Sequence, residues 1–320
     1  MASAGSTKVV LIAFGGNALI AVSKLSAAAI TGSSAMFAEG VHSVVDSGNQ
    51  LLLLYGIKRS AKPADTRHPF GYGMEIYFWS FVVAVLLFSI GAGVSIYEGI
   101  SKIQHPHPVE SPYINFIVLG LAMVFEGYAF WAAIKQMNAQ RGDNTVLQYI
   151  RRSKDAPLVV VLLEDAGALL GLMIAALSLV LVLVLDTPEL DGVASLVIGL
   201  LLAFAAVVLF IETKGLLIGE AVAPAVRAGI NDILQSHAKI LAVNEVMTMH
   251  MGPEDVFCAL SVDFSDDASS VEVEAAISNL EQEIKLAYPE IKRIFIEAQS
   301  VLGHANAASS EAPSNTEHNS

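Results

Sequence analysis

The chain has 320 residues, 54% of them apolar and only 15% charged, where a soluble globular domain carries about a quarter charged residues, so the composition is that of a membrane protein. Its one cysteine, Cys258, excludes an internal disulfide and a cysteine-based zinc knuckle. The 18 Lys and Arg against 31 Asp and Glu leave a net charge of −13, which excludes a nucleic-acid partner, since phosphates need a basic patch; an acidic chain suits cations.

A membrane-spanning helix needs about 20 largely apolar residues, and six segments qualify, at residues 8–31, 33–57, 76–100, 112–136, 157–185 and 190–216. The second is the least apolar. It carries Glu39, His42, Asp46 and Asn49 at spacings that line one face of a helix, and that face must look at protein or water. Lys58, Arg59, Lys62 and Arg67 follow the second span and Arg141, Arg151, Arg152 and Lys154 follow the fourth, whereas the other loops offer only Lys102. Positive loops mark the cytoplasmic side, so both termini are expected there. The opening MASAGSTK is too short and too weakly basic for a cleaved signal or a transit peptide, which points to a bacterial inner membrane.

Beyond the sixth span the pattern is that of a small acidic soluble fold: residues 217–320 hold 16 acids and 5 bases, a net of −11. A helix over 222–236, strands over 246–251 and 256–264, an amphipathic helix over 269–288 and a strand over 292–298 give the order αββαβ. The fold class expected is a membrane all-α bundle of six transmembrane helices followed by a cytoplasmic α+β domain of ferredoxin-like or copper-chaperone-like shape. The domains are a cation-transport domain at 1–216, a cytoplasmic dimerisation domain at 217–300 and a tail at 301–320 whose Ala, Ser, Asn and Glu suggest disorder.

An ionisable side chain in the bilayer core costs roughly 2.5–3.5 kcal/mol on insertion scales and is a functional hypothesis by default. At about 1.5 Å rise per residue, His42, Asp46, Asp165 and Asn17 come to similar depth on three helices. His42 and Asp46, at i and i+4, put an imidazole and a carboxylate on one side of a helix, a spacing that suits two ligands of one metal ion; Asp165 supplies a third from another helix. The plainer alternative is a His and Asp bonded only to each other as a structural lock. Asn17 serves either as helix glue or as a ligand. Glu164 is rotated about 100° from Asp165, so the pair cannot both point straight at one ion, and one of them serves as proton acceptor or supporting partner. Lys24 and Glu39 read as an ion pair between the first two spans, Glu126 as either a helix partner or part of an ion path, and His105 and His107 as a solvated pair in an outer loop.

The stretches TGSSAMFAEGVHSVVD, PADTRHPFGYG and a strongly apolar third span, joined to a C-terminal αββαβ domain, resemble the cation diffusion facilitator family of divalent-metal exporters. HPFGYGMEIYFWSF and LLEDAGALLG are similar to its zinc-transporter-nine-like branch. The resemblance covers about 300 residues and implies a transport site made of a His or Asp plus an Asp on span two, matched by His42 and Asp46, and a His plus an Asp on span five, where Asp165 matches but Val161 stands at the His position. Glu164, Asn17 or water would complete the shell. It also implies a loop site of an acid and two histidines, of which Asp65 and His68 are present and Tyr72 replaces the third, and strand ligands in the soluble domain, where only Glu297 matches and His250 stands nearby.

The sequence thus predicts a transporter rather than an enzyme. Its expected metal residues are His42, Asp46, Asp165, Glu164 and Asn17. It would be a homodimer in the lipid bilayer exporting a divalent transition metal, zinc first, from the cytoplasm in exchange for protons. No tightly bound cofactor is expected, the cation being substrate. The alternatives are a manganese, iron or cobalt exporter of the same kind, since one nitrogen and several oxygens make a harder site, or a membrane metal sensor that does not transport.

Overall fold

The computed structural model describes residues 4–31, 34–106 and 112–311, apart from the side chains at positions 4, 28, 31, 34–39, 41, 42 and 307–311. The chain forms two compact units, Met1–Ile218 and Gly219–Ser320.

In the first unit α1 (Ala4–Thr31) and α2 (Ser34–Ser60) are followed by α3 (Glu75–Leu86), which runs through a π-helical turn at Leu87–Ala92 into α4 (Gly93–Gln104). Next come α5 (Pro112–Gln140), the short α6 (Val146–Arg152), α7 (Ala156–Leu185) and α8 (Glu189–Ile218). Among the described residues five helical stretches are long and apolar enough to cross a membrane, with α3 to α4 counting as one. Helix α2 is of similar length, carries Asp46, Asn49 and Gln50 in its middle, and has part of its first half outside the described side chains. Its polar face packs inside the unit, where Ser43, Ser47, Asn49 and Gln50 are buried. The unpredicted α6 starts at a reciprocal cap, Thr145 receiving the Gln148 amide while the Gln148 side chain receives that of Thr145; the T-x-x-Q spacing was its sequence signal. Helix α7 begins with Pro157 in its first turn, where a missing N–H breaks no helix bond.

Helix α1 lies against α2, α5 and α7, while α8 lies against α3, α4 and α7. The core between them includes Val10, Leu53, Val83, Ala133, Leu158, Val161 and Leu209. Large apolar side chains such as Val184, Phe204 and Ile211 point outward, as a lipid-facing surface requires. At the start of α7, Asp155 accepts hydrogen bonds from Ser6 of α1 and from Gln140 Nε2 of α5 at 3.4 Å, which ties three helix ends together and fixes the position of the helix that carries Glu164 and Asp165.

The second unit contains α9 (Pro224–Ser236), β1 (Ile240–Gly252), β2 (Asp255–Phe264), α10 (Ser270–Ala287), β3 (Ile291–Ala298) and α11 (Val301–Glu311). The sheet order is β1-β2-β3, with β1 antiparallel and β3 parallel to β2. Val256, Cys258, Leu260, Val262 and Phe264 alternate onto one face of β2 and pack with Ile230 and Leu234 of α9 and Leu280 and Ile284 of α10. Strand β1 starts at Ile240 rather than Val246, because irregularities between Ile240 and Ala242 and between Val243 and Glu245 let a stretch without clean alternation keep pairing with β2. The tail differs from expectation. Residues Val301–Glu311 are helical, since an alanine-rich stretch has high helix propensity and the Val301 amide donates to Asp263 Oδ2 at 3.1 Å, anchoring the first turn; residues 312–320 lie outside the described ones.

Candidate metal-translocation site

Asp165 sits in α7 with 1% of its surface exposed, and neither carboxylate oxygen has a hydrogen-bond partner among the described residues. Polar atoms at such depth are nearly always satisfied, and burying a carboxylate without compensation is costly. An oxygen pair held this way is suited to a cation or a proton.

Its neighbour Glu164 is also buried but fully engaged: Asn49 Nδ2 donates to Oε1 at 3.2 Å and Gln50 Nε2 donates to Oε2 at 2.8 Å. The helical turn that separates the two acids by about 100° thus sends one toward the amides of α2 and leaves the other unengaged. Asp46 stands on α2 one turn before Gln50 and is half-buried. It is close enough to Glu126, Glu164 and Asp165 to interact with each electrostatically. Glu126 on α5 is buried and interacts in the same way with Lys24, which is buried on α1.

Asn17 is buried on α1, the helix that contacts α2, α5 and α7. His42 occupies the helical position one turn before Asp46, and its side chain lies outside the described residues, as does that of Glu39. Asp46, Glu164 and Asp165 are therefore brought together, but among the described residues no three His, Cys, Asp or Glu side chains close into a ligand shell. Val161, the position one turn before Asp165, is fully buried in the core. Asn49 is legible in the polar stripe of α2, and Gln50 is the partner the stripe alone does not single out; its signal is the i+4 spacing from Asp46.

The loop between α2 and α3 is closed by its own side chains. Tyr72 donates its hydroxyl to Asp65 Oδ2 at 2.8 Å, while the amides of Arg67 and His68 donate to Oδ1 at 2.9 and 2.8 Å. The His68 ring lies against Tyr72 at 4.2 Å between centroids. These bonds hold the Asp65 carboxyl below its ordinary range, the Tyr72 hydroxyl contributing most. In the second unit Glu297 is exposed on β3 and His250 is buried beside the Gly252 carbonyl, so neither meets the other; burial pushes the Cys258 thiol up to about 11, far from a reactive thiolate. His105 is exposed at the end of α4, and His107 lies outside the described residues.

Acids of α2, α5 and α7 and amides of α2 thus meet inside an apolar helical bundle. The model of the cation efflux transmembrane domain matches residues 10–218. The chain belongs to the cation efflux family. Within this family it falls in the zinc-transporter-nine-like branch: it is 35% identical over 81% of its length to the proton-coupled zinc antiporter SLC30A9, mitochondrial, of Xenopus laevis, covering 47% of that protein. It is 33% identical over 73% of its length to metal tolerance protein C4 of Arabidopsis thaliana, covering 51% of it. The magnetosome protein MamB of Magnetospira sp. (strain QH-2) is 22% identical over 83% of this chain and 86% of its own length. The chain spans about half the length of the first two relatives. As a cation efflux family member it is a multi-pass membrane protein whose matched region contains Asp46, Glu126, Glu164 and Asp165 together.

Proposed function

We propose that this chain is a homodimeric secondary transporter that carries a divalent transition metal, zinc first, out of the cytoplasm in exchange for protons. The observation that carries this reading is Asp165, buried at 1% exposure with both oxygens unengaged among the described residues, on the helix beside Asp46. In this reading Asp165 and Asp46 bind the cation with His42, and Asn17, buried on α1, adds an oxygen. Metal and proton compete for the same carboxylate oxygens and imidazole nitrogen, so arrival of one releases the other and the two flows are coupled. No cofactor is required, because the cation is the cargo.

The names of the relatives, a proton-coupled zinc antiporter and a metal tolerance protein, support both the class of ion and the exchange with protons. One observation favours a harder ion. Val161 offers no nitrogen one turn before Asp165, and a site richer in oxygen suits manganese, iron or cobalt better than a two-histidine site does. The loop charges support a cytoplasmic side, or its matrix equivalent, for the acidic second unit; a bacterial inner membrane is compatible with this, as is the mitochondrial location in the name of the Xenopus relative.

The test is transport in reconstituted vesicles under an imposed pH gradient, comparing zinc, manganese, iron and cobalt in the wild type and in Asp165→Asn. Gradient-driven uptake of at least one ion, lost in Asp165→Asn, is expected; metal binding by the wild type without uptake of any of the four ions would put the sensor reading in its place.

A further inference from the structure

We infer that Glu164 is a positioning residue rather than a ligand: clasped by Asn49 and Gln50, it locks α7 to α2 in the register that presents Asp165 and Asp46 to the same cation. This deepens the transport reading and rests on it.

Two acids follow one another on α7, both buried, and the surroundings treat them oppositely. Each oxygen of Glu164 takes an amide hydrogen from a different residue of α2, and each oxygen of Asp165 takes none among the described residues. The donors are themselves sealed, Asn49 at 1% and Gln50 at 0% exposure, so water cannot replace them and the clasp is the local solution to burying a carboxylate. Each oxygen of Glu164 has one lone pair committed to an amide of α2, the shorter bond at 2.8 Å, whereas among the described residues neither oxygen of Asp165 is committed to a donor.

Asn49 and Gln50 follow Asp46 by three and four residues, the spacings that share a helix face. The clasp therefore fixes the rotation of the α2 face that bears Asp46 relative to α7. A slip of one residue in either helix would turn the two aspartates away from each other by about 100°. The clasp also has a spare acceptor: Gln50 Oε1 is buried without a hydrogen-bond partner among the described residues. Rotation of the Gln50 amide exchanges its oxygen and nitrogen, so a glutamine at position 164 can accept from Asn49 and donate to Gln50 Oε1. The clasp survives the loss of the acid.

That prediction separates positioning from ligation. Glu164→Gln, Glu164→Ala and Asp165→Asn are compared with wild type for zinc uptake into vesicles, scored as KM and maximal rate, and for the visible absorption of bound cobalt. Glu164→Gln is expected to keep KM within about twofold of wild type and an unchanged cobalt spectrum, while Glu164→Ala raises KM about tenfold or more. Asp165→Asn loses uptake. Should Glu164→Gln lose uptake or alter the cobalt spectrum as Asp165→Asn does, Glu164 is a ligand and the inference is overturned. Wild-type KM in Glu164→Ala overturns it equally, since the clasp would then position nothing. If Glu164→Ala fails to insert, Glu164→Gln against Asp165→Asn still decides. Retained uptake in Asp165→Asn would instead sink the transport site itself, a separate failure.

Discussion

Asp46 and Asp165 come from different helices, and their neighbourhood is acidic enough that removing either changes charge balance more than packing. Asp46→Ala is expected to insert normally and to lose metal affinity by more than the roughly 10–100-fold that supporting partners of a metal carry, read by vesicle uptake or by titration calorimetry of the purified protein. Wild-type uptake would take Asp46 out of the site. In the proposed site, the position one turn before Asp165 would set the softness of the donors. Val161→His introduces a nitrogen there and should move preference from manganese toward zinc, at an overpacking cost of about 1–3 kcal/mol because Val161 is fully buried; an unchanged ion ranking in a folded protein would show that the new ring points elsewhere. These residues were legible in the sequence because ionisable groups are conspicuous at membrane depth. Their partners were not: an Asn–Gln pair in a polar stripe carries no sign of which acid it will bind, and the choice between Glu164 and Asp165 depends on how α2 and α7 are rotated about their axes.

At the scale of elements, helix packing depends on places where backbones nearly touch. A Cβ on Gly99 of α4 would sit 2.6 Å from the backbone nitrogen of Leu196 and 2.9 Å from the Gly192 carbonyl oxygen of α8. Backbone cannot step aside as a flexible side chain can, and small residues at helix crossings are what permit such approach in a membrane. Gly99→Ala should therefore force α4 away from α8 and lower the melting temperature in detergent, whereas alanine at Gly120, where nothing among the described residues lies within 4 Å, should not. The loop before α3 gives a second element-level expectation. Asp65 has its pKa depressed, first by the Tyr72 hydroxyl and then by the His68 amide. A depressed carboxyl adds stability above its unfolded value, about 3.9, and loses it as pH falls through the lower folded value. Tyr72→Phe removes the largest contribution, so the amides of Arg67 and His68 should exchange hydrogen faster than in wild type at neutral pH; unchanged exchange would mean the loop is held by the Arg59–Glu75 pair at 2.7 Å without help from Tyr72. Here the sequence showed the acid and one histidine, but only the fold reveals that a tyrosine closes on the oxygen.

On the scale of the whole molecule, the chain joins an oily unit to an acidic one, each with its own core. The second unit has a hydrophobic centre made from Val256, Cys258, Leu260, Leu280 and Ile284 with Ile230 and Leu234. Its helix α10 is capped reciprocally, Ser269 receiving the Glu272 amide at 3.4 Å and Glu272 receiving that of Ser269 at 2.9 Å. The order αββαβ was readable because β2 alternates and α10 keeps helical spacing; the start of β1 and the helix at Val301–Glu311 were not, since pairing irregularities and long-range anchors such as the bond to Asp263 leave no periodic trace. That core is apolar, and among the described residues Glu297 and His250 belong to no cluster of three potential metal ligands. The unit from Gly219 onward is therefore expected to fold as an isolated piece in the presence of chelator. Residues 217–320 carry 16 acids against 5 bases, a net of −11, and like charges on two copies repel over roughly 10 Å at 0.1 M salt and about 3 Å at 1 M. If two copies associate through this unit, as the homodimer proposal requires, the dimer should tighten as salt shortens that reach. Sedimentation across a salt series, with and without chelator, reads both effects at once. Dissociation on chelation would mean that a metal bridges the copies, and weakening with salt would mean that complementary charges, such as Arg293 beside Asp255 at 2.9 Å within one copy, are exchanged between copies instead.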